Sequence, residues 1–247
     1  MVDFDKLQLT VLEEKNNFGK YEIGPVARGF GNTLVNPLRR VLLSSITGTG
    51  ITSVKIGGVK HEFSTLKGLE QDVLDIVLNI KNLPVSSKSD EPQKLVLKTK
   101  GKKVVTASDF EKSGSVEIID PDFVVATLAD DKQKLDLEIT IEKGTGYKQA
   151  DDSVRRKIGV IPLDTNFSPV KRVKFEVVDT RVGRRTDYDK VILEIHTDGS
   201  ERPGDCLTEA TEVLVKMYAA LSRESELVAR ILENKDVAVE VKEEEIE

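Results

Sequence analysis

An α+β fold is predicted, and three observations predict it. Period-two segments recur near both ends and through the middle of the chain, three stretches carry an apolar face at helical spacing, and the composition sets a modest core against a large surface. Of 247 residues, 38% are apolar and 32% charged, and there is no Trp. That length allows one large domain or two modest ones. The high charged fraction suits an elongated or two-lobed shape, or a chain that covers part of its surface against partners.

The elements follow in order. Residues 7–13 and 19–23 alternate polar and apolar side chains as half-buried strands do, with Asn16-Asn17 as the turn between them. Residues 26–46 come next, and their later part is helical in pattern. Leu34, Leu38, Val41, Leu42 and Ile46 fall at steps of three and four, giving one wide apolar face flanked by Arg39, Arg40, Ser44 and Ser45. Pro37 leaves two forms open. Either the helix starts at Asn36 as N-cap with Pro37 in first position, or a longer helix is kinked at Pro37; the longer form is preferred. The run TGTG at 47–50 ends that helix. Residues 51–56 and 59–63 read as a hairpin around Gly57-Gly58. Residues 68–82 make a second helix with Leu69, Val73, Ile76, Val77 and Ile80 inward, and 84–92 is a polar loop.

Strand-like runs at 95–98, 116–119 and 135–141 are separated by Gly, Asp and Pro signals. GTGY at 144–147 reads as a bulged or irregular connection, followed by a polar, mobile stretch at 150–157. Residues 173–178 and 191–195 read as paired strands joined by a charged connector at 179–190, with Asp198-Gly199 closing the unit. A long helix then spans 203–233. Leu207, Ala210, Leu214, Met217, Leu221, Val228 and Ile231 keep its three-four rhythm, interrupted by Glu224. A seam sustained over more than three heptads is wider than one small sheet requires and points to a second helix as its partner. The residues after Asn234 read as an acidic, disordered tail.

Composition excludes several function classes. The net charge is −6, and residues 237–247 hold five Glu and one Lys. The remaining body is nearly neutral, without the basic stripe that primary nucleic-acid binding needs. Cys206 is the single cysteine, so there is no disulfide framework and no cysteine zinc site, which fits a reduced cytoplasmic compartment. No segment approaches the ~20 apolar residues of a membrane span. His61 and His196 are the two histidines, too few for triads or multi-histidine metal sites. His61-Glu62 as an acid–base pair is outweighed by a strand histidine bonded to backbone. Gly29-Phe30-Gly31 lacks the spacing of a dinucleotide fingerprint and reads as a close-packing turn at a helix start. Asp130-Asp131 and Asp151-Asp152 read as solvated turns rather than metal ligands. No catalytic residue, cofactor site or metal site is expected.

Several blocks carry a resemblance. The run RGFGNTLVNPLRRVLLSS at 28–45 resembles the first helix of the bacterial and plastid RNA polymerase alpha-subunit family, RGFGxTLxNxLRRxLLSS. VKHEFST at 59–65 is similar to its VxHE(F/Y)ST segment, and DVLDIVLNIKNL at 72–83 to its DILEIxLNLKxL helix. FSPVKRV at 167–173, RTDYDKV at 185–191 and TDGS at 197–200 follow in the family's order, with GTGY where the family has GxGY. The resemblance spans residues 7 to 233.

It implies an alpha subunit of DNA-directed RNA polymerase, a nucleotidyltransferase complex, in which this chain is non-catalytic. A dimerisation lobe is expected from 1–46 and 171–233, with 47–170 inserted as a lobe contacting the large subunits and 234–247 as the tail. The implied dimer interface comprises Phe30, Leu34, Leu38, Val41, Leu42, Ile46, Leu207, Leu214, Met217 and Leu221. The beta subunit's contact is implied at Arg40, with Arg39, Asn36, Ser44, Lys81, His61, Glu62, Ser168 and Pro169 as further beta and beta-prime contacts. Omega, sigma and DNA would be reached only through the holoenzyme. Three departures stand out: Val35 where the family often has Gly, Arg202 where an acidic residue is common, and no promoter-reading helical module after the acidic residues. A stand-alone dimeric adaptor reusing the same platform is the alternative.

Overall fold

The computed structural model describes residues 6–66, 68–150, 159–183 and 185–244, with side chains as far as Ser225. Among the described residues, antiparallel sheets and three α-helices alternate, which is the α+β class. The first hairpin pairs β1 (Gln8–Lys15) with β2 (Phe18–Ala27) across the Asn16-Asn17 turn. Helix α1 (Phe30–Ser44) continues through Pro37 with Gly29 as its N-cap, so Asn36 is not the cap. One lost backbone donor is tolerated because α1 packs its length against other elements.

Strand β3 (Thr47–Ile56) absorbs the TGTG run that sequence reading assigned to the helix end. The reason is close approach: the segment 165–169 crosses over β3, and a side chain at Gly48 would overlap the Phe167 carbonyl oxygen. The expected hairpin at 51–63 does not form. Both edges of β3 are taken, by β9 (Lys134–Thr145) and β11 (Val160–Pro162), and residues 59–66 form turns and irregular backbone instead.

Helix α2 is shorter than expected, Val73–Lys81, because Gly68 takes a left-handed φ of 87° and Leu69 bridges to Leu128. Val73, Ile76, Val77 and Ile80 do face inward. The segment expected as a loop at 84–92 contains β4 (Val85–Ser87), paired with β7 (Val116–Ile118). Strand β5 (Gln93–Lys100) lies on the other side of β9, and β6 (Lys103–Thr106) pairs with β8 (Val124–Leu128). Short β10 (Tyr147–Lys148) and β12 (Thr165–Asn166) pair with each other. The stretch 151–158, including Asp151-Asp152, lies outside the described residues.

The long hairpin β13 (Val170–Val182) and β14 (Arg185–Thr197) replaces the expected connector at 179–190 with paired strand. Alternation persists through those charged positions because both faces are partly open to solvent. Helix α3 (Pro203–Glu244) continues past residue 233 where the sequence pattern ends it.

Two hydrophobic cores result. The first lies under the sheet β1-β2-β14-β13, where Tyr21, Ile23, Val191, Leu193 and Ile195 meet Val35, Leu38 and Leu42 from α1, Ile46 just after it, and Cys206, Leu207 and Ala210 from α3. The second fills the sheet β11-β3-β9-β5, where Ile51, Val54, Leu97, Leu137, Ile139 and Ile141 pack against α2 and the β6–β8 pair. Val35 is fully buried between α1 and the sheet.

Candidate functional site

Helix α1 presents three faces, fixed by its 3.6-residue turn. Gly31, Val35, Leu38 and Leu42 are buried against the sheet. Phe30, Leu34, Pro37 and Val41 are half-buried on the side of α3, and Asn32, Asn36, Arg39, Arg40, Leu43 and Ser44 face solvent. Asn36 and Ser44 turn back on the helix, with Asn36 Nδ2 donating to the Asn32 carbonyl at 2.9 Å and Ser44 Oγ to the Arg40 carbonyl at 2.8 Å. Neither Arg39 nor Arg40 has an ion pair or hydrogen-bonded side-chain partner among the described residues. Two adjacent guanidinium groups therefore stand with their donors unused, on the helix edge opposite the core. A local ion pair, the simplest alternative account of Arg40, is absent there.

The apolar side is equally unfinished. From Val215 onward every described residue of α3 is exposed, so the helix leaves the body there. Val215 and Leu221 are 67% and 64% exposed, and Met217 and Tyr218 about half. Two open clefts of about 370 and 390 Å³ sit at this departure. Leu7, Leu9, Leu34, Leu207, Leu214 and Val215 line one; Val26, Phe30, Leu34, Pro37, Leu214 and Tyr218 line the other. Leu38, Leu42, Ile46 and Leu207 are buried in this chain's own core and leave almost no surface for a partner. Phe30, Leu34, Val41, Leu214, Met217 and Leu221 keep theirs.

The remaining predicted positions scatter. Lys81 is exposed at the end of α2 and has no ion pair among the described residues. His61 lies in an exposed turn rather than a strand, with Ser64 Oγ 3.3 Å from its Nδ1, and Glu62 is half-buried beside it. Ser168 and Pro169 are buried, Ser168 Oγ donating to the Val170 carbonyl at 3.4 Å, so they shape the crossing over β3 rather than a surface. His196 is on β14 with its ring 4.9 Å from that of Phe18.

Sequence reasoning missed Tyr218 and Val215 beside the seam, Phe63 at 75% exposure in the 59–66 turn, and Leu74 and Leu78 on the outer face of α2. The last pair had a signal, since two leucines four apart off the inward stripe give a helix a second apolar face.

The N-terminus of α3 carries the strongest perturbations. Burial pushes the Cys206 thiol up to about 12, with Glu201 and Glu209 adding to it. Glu201 itself is raised, first by burial and then by Asp205 and Glu209. The Tyr21 hydroxyl is also raised, chiefly by burial and then by the neighbouring Glu14 carboxylate. Glu14 supplies the negative charge that Arg202 does not, accepting from the Gly204 N–H at 3.3 Å. A thiol held this firmly protonated is no nucleophile. Among the described residues no group of three or more His, Cys, Asp or Glu could hold a metal, and no helix is long and apolar enough to cross a membrane.

Residues 54–168 match the family model described as the RNA polymerase Rpb3/RpoA insert domain. The chain is 44% identical over 236 residues to the DNA-directed RNA polymerase subunit alpha of Symbiobacterium thermophilum, covering 94% of this chain and 75% of that one. It is 42% identical over 235 residues to that of Roseiflexus castenholzii (93% and 73%) and 40% over 240 residues to that of Heliobacterium modesticaldum (95% and 76%).

Proposed function

Because the chain belongs to the bacterial DNA-directed RNA polymerase alpha-subunit family, we propose that it works in the cytoplasm as a dimeric platform on which the large subunits assemble. In this reading 1–46 and 171–233 form the dimerisation lobe, and 47–170 form the inserted lobe. The existence of two separate cores supports the division. A second copy would lay its α1 and α3 across the two apolar clefts, a self-complementary arrangement that two-fold symmetry permits. The chain would contribute no catalytic group to the polymerase.

One observation carries the reading: α1 is apolar and incomplete on one side and bears two unpaired arginines on another. A planar guanidinium fork suits the carboxylates or backbone carbonyls of a protein partner. Arg40 is the proposed beta contact, with Arg39 beside it and Lys81 as a secondary point on the inserted lobe.

The test is co-expression with the beta and beta-prime subunits. Wild-type chain should run as a dimer by light scattering and bring both large subunits down in stoichiometric amounts. Arg40→Ala should stay dimeric while retained beta falls more than about tenfold, the equivalent of about 1.4 kcal/mol. Undiminished beta binding removes Arg40 from the contact, and a dimer that captures neither large subunit favours a stand-alone adaptor.

A further inference from the structure

Helix α1 has no acidic residue in its first turn, and its N-cap, Gly29, offers no side chain. Both deficits are met from far along the chain. Asp189, buried on β14, accepts a hydrogen bond through Oδ2 from the Gly29 N–H at 2.7 Å, across 160 positions. The surroundings are built for this contact. Gly29 sits at φ 87°, a left-handed turn that aims its amide at the carboxylate. A side chain at Gly31 would strike Val177 and press on Asp189. The Arg28 N–H donates to the Asp187 carbonyl at 3.2 Å, so the approach to the helix is tied to the same strand.

Just past the other end of α1 a second carboxylate does similar work. Glu209 of α3 accepts from the Thr47 N–H at 3.0 Å and from Thr47 Oγ1 at 2.8 Å. The helix bearing Arg39 and Arg40 is therefore held at or next to both ends by carboxylates from the C-terminal part of the chain.

We propose that Asp189 is a positioning residue for partner docking: its carboxylate fixes the start of α1 on β14 and so sets the direction in which Arg39 and Arg40 leave the body. This rests on the reading of α1 as the docking edge. It also joins two sequence blocks, RGFG at 28–31 and RTDYD at 185–189, into one structural device. The negative charge favours the helix N-terminus, and burial makes the contact directional rather than a screened surface pairing.

The test compares Asp189→Ala and Asp189→Asn with wild type in the full chain. It reads amide hydrogen exchange in residues 29–33 and retention of co-expressed beta subunit. Asp189→Ala should exchange the first turn of α1 at least tenfold faster and lose beta about tenfold, while the dimer persists. Asp189→Asn keeps an acceptor oxygen and should restore most of the retention. Accelerated exchange with full beta retention reduces Asp189 to a structural residue and overturns the proposal. Unchanged exchange overturns the clamp itself. Should Asp189→Ala fail to fold, Asp189→Ser, whose shorter side chain stops short of the Gly29 N–H, takes its place with the same two readouts and the same outcomes. If wild-type chain retains no beta subunit, the docking reading fails, and exchange still judges the clamp.

Discussion

The buried Tyr21 hydroxyl lies beside the Glu14 carboxylate, whose charge acts on it, but the two do not meet in hydrogen-bonding geometry. A buried hydroxyl of this kind costs its desolvation without return. Tyr21→Phe should therefore be neutral or stabilising by about 1 kcal/mol, read from the denaturant midpoint. A loss above that amount would mean that the hydroxyl is satisfied. Glu201 makes the complementary case. Its raised pKa means that the folded chain prefers it protonated, so its favourable contribution is complete below the ordinary carboxylate value and is lost as pH rises through the raised one. Glu201→Gln should gain about a few tenths of a kcal/mol at pH 7, discounted for its partial exposure. The gain should vanish below about pH 4, and melting at both pH values checks it. Neither effect was legible in the sequence. Glu14, Tyr21, Glu201 and Cys206 converge only through the packing of α3 on the first hairpin.

Helices announced themselves better than strands. The faces of α1, α2 and α3 follow from apolar spacing, because a helix must bury one stripe whatever its neighbours are. The hairpin expected at 51–63 failed for the opposite reason: local pattern cannot say which distant strand claims an edge, and β3 pairs with β9 and β11. Short β4, β6 and β8 were invisible at three to five residues. The proposed docking edge was half legible. Motif and spacing located Arg39 and Arg40, whereas only the structure separates the buried Leu38, Leu42 and Ile46 from the open Leu34, Leu214 and Leu221. That separation makes Leu221 the sharper probe of the α3 seam. Leu221→Glu should leave helix content by circular dichroism unchanged and weaken self-association at least about tenfold, measured by sedimentation. An unaltered dimer would exclude this part of α3 from the interface.

For the molecule as a whole, the proposed dimer would link stability to association through the open clefts beside α1 and α3. A chain that buries this face against a second copy gains folded-state free energy with concentration. The melting temperature of the wild-type chain should rise by a few degrees over a hundredfold increase in concentration, and that of Leu221→Glu should not. Equal slopes would argue that the monomer is complete as it stands. The two cores themselves were only partly foreseeable. Composition allowed two modest domains, but nothing in residues 1–46 taken alone says that their cover lies after residue 170.

That arrangement has a consequence for the order of synthesis. The first sheet takes its strands in the order β1-β2-β14-β13, so its middle is a seam between the earliest and latest parts of the chain. The ribosome releases α1 with its apolar face bare, and β13 begins at Val170, 126 positions after α1 ends at Ser44. At ordinary elongation rates that interval is on the order of ten seconds. Meanwhile every buried member of the second core, ending at Leu163, has already been released. A nascent chain thus carries all the residues of its middle and an unfinished frame, and a message cut short before β14 would yield a product with no place for Asp189 to hold α1. If Asp189 positions α1 as proposed, a chain ended that early would present Arg39 and Arg40 on a helix without that anchor.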